Sequence, residues 1–231
     1  MSGRLAALLH HNFGLVVSLI RNEVEFALAA ERAGADAVKI HLNVEHRASG
    51  LKFGSFAEEE ERILSIVEAV EIPVGLMPGT ADKFIDHSEL EALDRIGIDF
   101  IDYYHRDAPD WLDAANICPD LMPAISEHDG PELADHIDRE GYPLVELSVL
   151  PHVKYGTPLD EADLKVYRDL ARRITAPCIV PTQKKILPGQ VDEIKGAGIS
   201  ALMVGAVVTG TRPLETEKAI AEFRRAIDHV R

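Results

Sequence analysis

The sequence predicts an α/β protein built as a (β/α)8 barrel, the TIM-barrel fold, with a short helix at its N-terminus. Eight short apolar runs alternate with amphipathic helical segments, and this alternation is typical of a parallel sheet. The length of 231 residues is close to that of one such barrel, so residues 1–231 are expected to form a single domain. An open doubly wound sheet is the alternative, but no G-x-G-x-x-G turn follows the first strand.

The strands are predicted from short apolar runs bounded by turn-forming residues. The third run, for example, is followed by Pro78 and Gly79. In chain order, the predicted strands cover residues 15–20, 37–42, 72–77, 98–103, 121–126, 144–150, 177–180 and 202–204.

The helices are predicted from apolar residues one turn apart and from capping residues. Val24 and Leu28 share a face of the first helix after a strand, and Gly34 ends that helix. Ser55 and Glu58 form a capping-box pattern at the start of the next helix. The predicted helices cover residues 23–34, 55–70, 88–97, a short segment around Trp111, 131–140, 160–174, 189–198 and 214–230. Residues 1–11 are expected to form a short helix that closes the barrel floor or an interface.

Charge and composition narrow the classes of function. The chain has 39 acidic and 24 basic residues and a formal net charge of −15, whereas nucleic-acid-binding proteins carry basic patches. The same charge disfavours anionic membrane surfaces, and no apolar run approaches the roughly 20 residues that cross a bilayer. Cys118 and Cys178 fit a pair of free thiols. We therefore expect a cytoplasmic homo-oligomer with no nucleic-acid partner, no membrane partner and no cofactor.

Charged side chains within the predicted strands indicate where the chemistry lies. Active sites of these barrels form at the C-terminal ends of the strands, and side chains alternate in direction along each strand. Lys39 and His41 alternate with apolar residues, so both are expected to face the barrel interior. A buried lysine needs a counter-charge, and Glu146 on the strand across the barrel is its expected partner. The candidate catalytic residues are Lys39, His41 and Glu146, together with Asp102 at the end of strand 4.

A metal site is not predicted, although the sequence leaves one open. His41, His105, Glu127 and His128 are ligand-type residues near strand ends. Their spacing matches no metal motif, which favours a rim of carboxylates and imidazoles that moves protons.

The loops after strands 6, 7 and 8 predict a phosphate site. Gly205 and Ala206 open a helix directly after the last strand, where backbone N–H groups and the helix dipole favour an anion. Lys184 follows strand 7 and would add a positive charge. The expected partner is thus a small phosphorylated substrate. The candidate residues that bind it are Ser18, Gly156, Thr182, Lys184, Gly205 and Ala206.

Two short segments resemble known barrel families. Residues 201–213, Ala-Leu-Met-Val-Gly-Ala-Val-Val-Thr-Gly-Thr-Arg-Pro, resemble the loop after strand 8 of ribulose-phosphate-binding barrels. The nearest similarity is to the N-acetylmannosamine-6-phosphate 2-epimerase family, which has a Val-Gly-x-x-(Ile/Val)-Thr-Arg-Pro run there. Residues 90–102 are similar to the helix 3–strand 4 segment of pyridoxal-phosphate synthase barrels. The resemblance implies the barrel fold and a phosphate site after strand 8. The strand-3 lysine of both families has no counterpart in residues 72–77.

Three functions stay open at this point. The first is an isomerase or epimerase that moves a proton next to a carbonyl of a phosphorylated sugar or related compound. There Lys39 would polarise the carbonyl, and Glu146 or His41 would move the proton. The second is a Schiff-base lyase or aldolase that uses Lys39 or Lys184 as the amine. The third is a ligand-sensing barrel without turnover, which fits the missing strand-3 lysine.

Overall fold

A computed structural model describes residues 3–46 and 49–230 of the chain. Its eight parallel strands form a closed barrel in which each strand pairs with its neighbours in chain order and the last pairs with the first. The predicted (β/α)8 fold is therefore confirmed. The strands are β1 (Gly14–Ser18), β2 (Ala37–His41), β3 (Val74–Met77), β4 (Phe100–Tyr104), β5 (Asp120–Ser126), β6 (Val145–Ser148), β7 (Cys178–Pro181) and β8 (Ala201–Val204).

One helix precedes the first strand, and the others lie between or after the strands, outside the barrel. They are α1 (Arg4–Leu9), α2 (Val24–Arg32), α3 (Phe56–Ala69), α4 (His87–Ile96), α5 (Pro131–Glu140), α6 (Glu161–Ala171), α7 (Val191–Gly196), α8 (Ala206–Thr209) and α9 (Pro213–His229). The predicted capping box of Ser55 and Glu58 is present at the start of α3. Among these described helices, none has the length and apolar character needed to cross a membrane.

The segment between β4 and β5 differs from the prediction. No helix forms around Trp111, which lies in a turn after a short 3₁₀ turn at His105–Asp107. Ala108 is extended because the residue before a proline avoids the helical region, and Pro109 lacks the N–H that a helix would need. This side of the barrel is consequently covered by irregular chain.

The lower half of the barrel interior is apolar and is closed by α1. Leu5, Ala6 and Leu9 of this helix are buried against the inward side chains of the strands. Gly75 on β3 makes room for the inward Phe100 ring, because a Cβ at residue 75 would lie 2.0 Å from Cε2 of Phe100. The inward residues of this layer are Val16, Ala37, Phe100, Met122, Leu144, Ile179, Ala201 and Met203.

The inward face becomes polar two residues further along four of the strands. On β1, β2 and β4 the inward residue changes from Val16 to Ser18, from Ala37 to Lys39 and from Phe100 to Asp102. At β6 it changes from Leu144, just before the strand, to Glu146 within it. Side chains alternate with a period of two, so these polar groups face the interior like the apolar ones below them. Because all strands are parallel, the polar groups gather at the C-terminal end of the barrel.

Candidate active site

A cavity of about 350 Å³ opens at the C-terminal ends of the strands. Ten residues were predicted for the site, and eight of them line this cavity. The other two, Gly156 and Lys184, do not. The eight are Ser18, Lys39, His41, Asp102, Glu146, Thr182, Gly205 and Ala206.

The centre of the cavity floor is a buried ion-pair cluster. Lys39 Nζ lies 3.1 Å from Glu146 Oε2, so the pair expected from the strand pattern is present. The same ammonium donates to Asp102 Oδ2, a contact that the sequence did not predict. All three residues are buried, with relative exposures of 7%, 5% and 1% for Lys39, Glu146 and Asp102. One cation therefore serves two acids in a site of low polarity.

The pKa values of the two acids of this cluster are shifted in opposite directions. Burial raises the pKa of Asp102 well above its usual range, and the charge of Glu146 raises it further. Burial acts on Glu146 in the same direction, but the Lys39 charge and hydrogen bonds from Asp102, Lys39 and Ser148 outweigh it and lower the pKa of Glu146. Burial lowers the pKa of Lys39, and the charges of both acids more than reverse this effect and raise it.

These shifts favour a state with an ammonium on Lys39, a carboxylate on Glu146 and a proton on Asp102. The Lys39 contact with Asp102 persists in that state, because a neutral carboxyl still has an oxygen that accepts a hydrogen bond. The acids titrate as a pair, so any measured pKa belongs to both of them.

His41 forms a second group of the site as an uncharged imidazole. Its Nε2 lies 3.2 Å from Ser18 Oγ, and its Nδ1 is buried without a hydrogen-bond partner among the residues that the structure describes. Burial lowers the pKa of His41 well below its usual value, and the charges of His46 and Lys39 lower it further. A neutral imidazole with one unused nitrogen in a cavity wall is suited to exchange a proton with a bound molecule.

The loop after β2 forms one wall of the cavity. Residues 43–46 and 51–54 pair as a hairpin, with Asn43 and Phe53 donating backbone N–H groups to Gly54 and Val44. The Phe53 ring lies 4.7 Å from the His41 ring, and the His46 ring lies 5.0 Å from it. Sequence reasoning missed His46, which lines the cavity, although a long loop at the C-terminal end of a barrel strand is where such residues lie.

A hydrogen-bonded network of neutral side chains forms the wall on the β6–β7 side. The buried Gln183 amide donates to Ser148 Oγ (3.3 Å), Tyr155 Oη (2.8 Å) and the Leu150 carbonyl (3.1 Å). Tyr104 Oη lies 3.2 Å from Ser148 Oγ. The sequence placed Ser148 on the inward face with Glu146 but gave no signal for the tyrosines, which reach the cavity from a strand end and a loop.

The start of α8 lies at the cavity edge beside β7. Gly205 donates its N–H to Thr182 Oγ1 at 2.9 Å, which ties the two loops together. A Cβ at Gly205 would meet Ser18 Cβ at 3.4 Å, so Ser18 also packs here. The first N–H groups of a helix have no partner within it, and those of α8 begin at Ala206 beside the cavity.

Lys184 and Gly156 were predicted to bind phosphate, but the structure places both outside the lining of the cavity. The Lys184 ammonium points away from the cavity and pairs with Asp163 Oδ2 at 2.6 Å, both side chains being almost fully buried. Asp163 lies in the first turn of α6, where a buried carboxylate requires a cation. Gly156 lies outside the cavity wall, and its N–H donates to the Gln183 carbonyl at 2.9 Å. Neither residue lines the cavity.

The remaining ligand-type residues do not converge. Of the four that the sequence singled out, only His41 lines the cavity. The His105 ring lies 5.5 Å from the His136 ring, and His128 contacts Glu127 at 3.8 Å. Within residues 3–46 and 49–230, no group of three or more His, Cys, Asp or Glu side chains could hold a metal ion.

Comparison with known proteins identifies the fold class but no family. No protein-family model and no curated protein matches the sequence. Solved structures do match. N-(5'-phosphoribosyl)anthranilate isomerase from Pyrococcus furiosus is 23% identical over 95% of this chain and 100% of its own, with a TM-score of 0.66.

Two further matches from the same organism cover more than nine-tenths of this chain. A mutant tryptophan synthase alpha-subunit is 16% identical over 93% of this chain and 98% of its own, with a TM-score of 0.71. A thiamine phosphate pyrophosphorylase is 15% identical over 94% and 96%, with a TM-score of 0.67. Likeness at these identities shows a shared barrel fold. The similarity to the epimerase family stays a prediction.

Proposed function

We propose that the chain is an enzyme that moves a proton next to a carbonyl group in a small phosphorylated substrate, as an isomerase or epimerase. The observation that carries this proposal is the Lys39–Asp102–Glu146 cluster on the cavity floor. Two acids whose pKa values are pushed in opposite directions provide a proton acceptor and a proton donor at the same place.

Each member of the cluster has a role in this reaction. The Lys39 ammonium binds the carbonyl oxygen and stabilises the negative charge that develops there when the neighbouring carbon loses its proton. The Glu146 carboxylate accepts that proton, and the protonated Asp102 or the neutral His41 supplies one to the oxygen or to the adjacent carbon. The cavity of about 350 Å³ limits the substrate to a small molecule.

The charge on Lys39 disfavours the lyase alternative at this residue. A lysine must lose its proton before its amine attacks a carbonyl, and two adjacent acids hold the Lys39 proton in place. Lys184, the other amine considered, is buried against Asp163 outside the cavity. Proton transfer without a covalent intermediate is therefore the preferred chemistry.

The start of α8 is the proposed position of the phosphate group. The backbone N–H of Ala206 and the hydroxyls of Thr182 and Ser18 lie together at this edge of the cavity. Structural neighbours support a phosphorylated substrate, because the names of two of them include a phosphate-bearing compound and one of these is an isomerase. With Lys184 turned away, binding at this position would depend on hydrogen-bond donors more than on a positive side chain.

Deuterium exchange tests the proposal directly. The protein is incubated in D₂O with a panel of aldose and ketose phosphates, and proton NMR detects loss of the signal of the carbon next to the carbonyl. We expect exchange with at least one compound, abolished by Glu146→Gln and competed by inorganic phosphate. Treatment with borohydride should trap no covalent adduct. An adduct on Lys39 would overturn the proton-transfer assignment in favour of a Schiff-base reaction.

A further inference from the structure

The last residue of β2, His41, extends beyond the end of the neighbouring strand β1. Ser18, the last residue of β1, pairs with Lys39, and the Leu19 N–H donates to the Lys39 carbonyl at 2.8 Å. His41 points its backbone N–H and carbonyl to the same side, two residues further along. Because β1 has already ended, no strand backbone is available to pair with His41 there. Buried backbone groups without partners are costly, so another group must serve them.

The side-chain amide of Asn22 takes the place of the missing strand. Its Nδ2 donates to the His41 carbonyl at 2.8 Å, and its Oδ1 accepts the His41 N–H at 3.2 Å. Asn22 is only 3% exposed and lies in the loop after β1. One amide thus supplies the donor and the acceptor that a paired peptide unit would supply. It extends the pairing along this edge of β2 to His41, the residue that carries the imidazole.

A buried carboxylate fixes the orientation of this amide. Glu59 of α3 is 6% exposed, and its Oε2 accepts a second hydrogen bond from Asn22 Nδ2 at 3.2 Å. A carboxylate only accepts, so the reversed amide would place Oδ1 against Glu59 and against the His41 carbonyl. The other carboxylate oxygen contacts Arg62 at 3.1 Å, which balances part of the buried charge.

The position of the His41 imidazole depends on this backbone pairing. Within the described residues the ring has a single hydrogen bond, to Ser18, and it packs against the rings of His46 and Phe53. We propose that Asn22 and Glu59 are positioning residues that hold the end of β2, and with it the His41 ring, in the cavity wall. The consequence for turnover rests on the proposed function, whereas the consequence for the geometry of His41 does not.

Amide hydrogen exchange and NMR of the full chain test the proposal without a substrate. The variants are Asn22→Ala and Glu59→Met, which remove the amide and its acceptor, with Glu60→Met on the exposed face of α3 as the matched control. In both test variants the His41 amide should exchange about tenfold faster, the change expected for loss of one buried hydrogen bond, and the imidazole nitrogen shifts should move. The Leu19 amide, which is bonded within the barrel, should keep its protection as an internal reference.

The conservative variant Glu59→Gln separates positioning from general loosening. Its side-chain oxygen still accepts from Asn22, so the His41 exchange rate should return to within about twofold of the parent value. Unchanged His41 amide exchange and imidazole shifts in a folded Asn22→Ala or Glu59→Met protein would overturn the proposal. If the Asn22→Ala protein does not fold, the Glu59→Met protein provides the test. Once a reaction is measured, both variants should lower kcat more than they change KM. Full activity of His41→Gln would refute the role of His41 in turnover and leave the exchange result standing.

Discussion

Removal of charges from the buried cluster should reveal that Lys39 has two alternative partners. The cluster contains one ammonium within hydrogen-bonding distance of both Asp102 and Glu146, and burial raises the pKa of Asp102, which favours its protonated form. If Glu146 is replaced by glutamine, Asp102 can lose its proton and neutralise Lys39 in its place. We therefore expect Glu146→Gln and Asp102→Asn each to cost about 1 kcal/mol, the value of one exchanged hydrogen bond.

The double variant should behave differently from the sum of the single variants. Asp102→Asn with Glu146→Gln leaves the Lys39 ammonium buried with no anion, which costs about 3–5 kcal/mol. The sum of the two single effects is only about 2 kcal/mol, so the interaction free energy should be about 1–3 kcal/mol. Lys39→Met should itself cost about 3–5 kcal/mol above neutral pH, where the remaining acids ionise in the unfolded chain and lack a cation in the folded one.

Urea titrations at about pH 8 and about pH 5 measure these free energies of unfolding. Without Lys39 the pKa of Glu146 rises, because burial is then opposed only by the hydrogen bonds from Asp102 and Ser148, so the penalty of Lys39→Met should shrink as the pH falls toward 5. Lys52→Met, which replaces an exposed lysine, is the matched control and should change stability by less than about 0.5 kcal/mol. Additive effects of Asp102→Asn and Glu146→Gln would refute the idea that the two acids substitute for one another.

Three further predictions concern Lys184, His46 and Gly75. Lys184→Met should lower the free energy of unfolding by about 3 kcal/mol, because the buried Asp163 then keeps only the more distant and half-exposed Lys154, at 3.9 Å, yet it should leave competition by inorganic phosphate unchanged; weaker competition would return Lys184 to the substrate site. Burial lowers the pKa of His46 to about 4, so this group should contribute stability above about pH 6.5 that is lost as the pH falls toward 4; NMR titration showing a pKa near 6.5 would contradict this. Gly75→Ala should destabilise the barrel by at least about 1–3 kcal/mol in urea, since its Cβ would overlap the Phe100 ring, and an unchanged midpoint would contradict this.

The barrel and its inward face could be predicted from the sequence because both follow from local periodicity. A strand turns every second side chain to the same face, so the alternation of Lys39 and His41 with apolar residues indicates their direction without knowledge of any neighbour. The same argument holds for Glu146, and eight repeats of strand and helix limit the sheet to few topologies. The pairing across the barrel then follows from the position of β2 opposite β6.

Loop directions and shared partners could be decided only by the tertiary structure. Lys184 lies three residues beyond the end of β7, where no period applies, and its direction is set by the buried Asp163 of α6. Asp102 joins Lys39 because barrel closure brings β2, β4 and β6 within reach of one ammonium, and Asn22 reaches His41 because β1 ends before β2 does. Local sequence determines which face a strand residue occupies, whereas the partner of a buried charge depends on which elements pack around it in three dimensions.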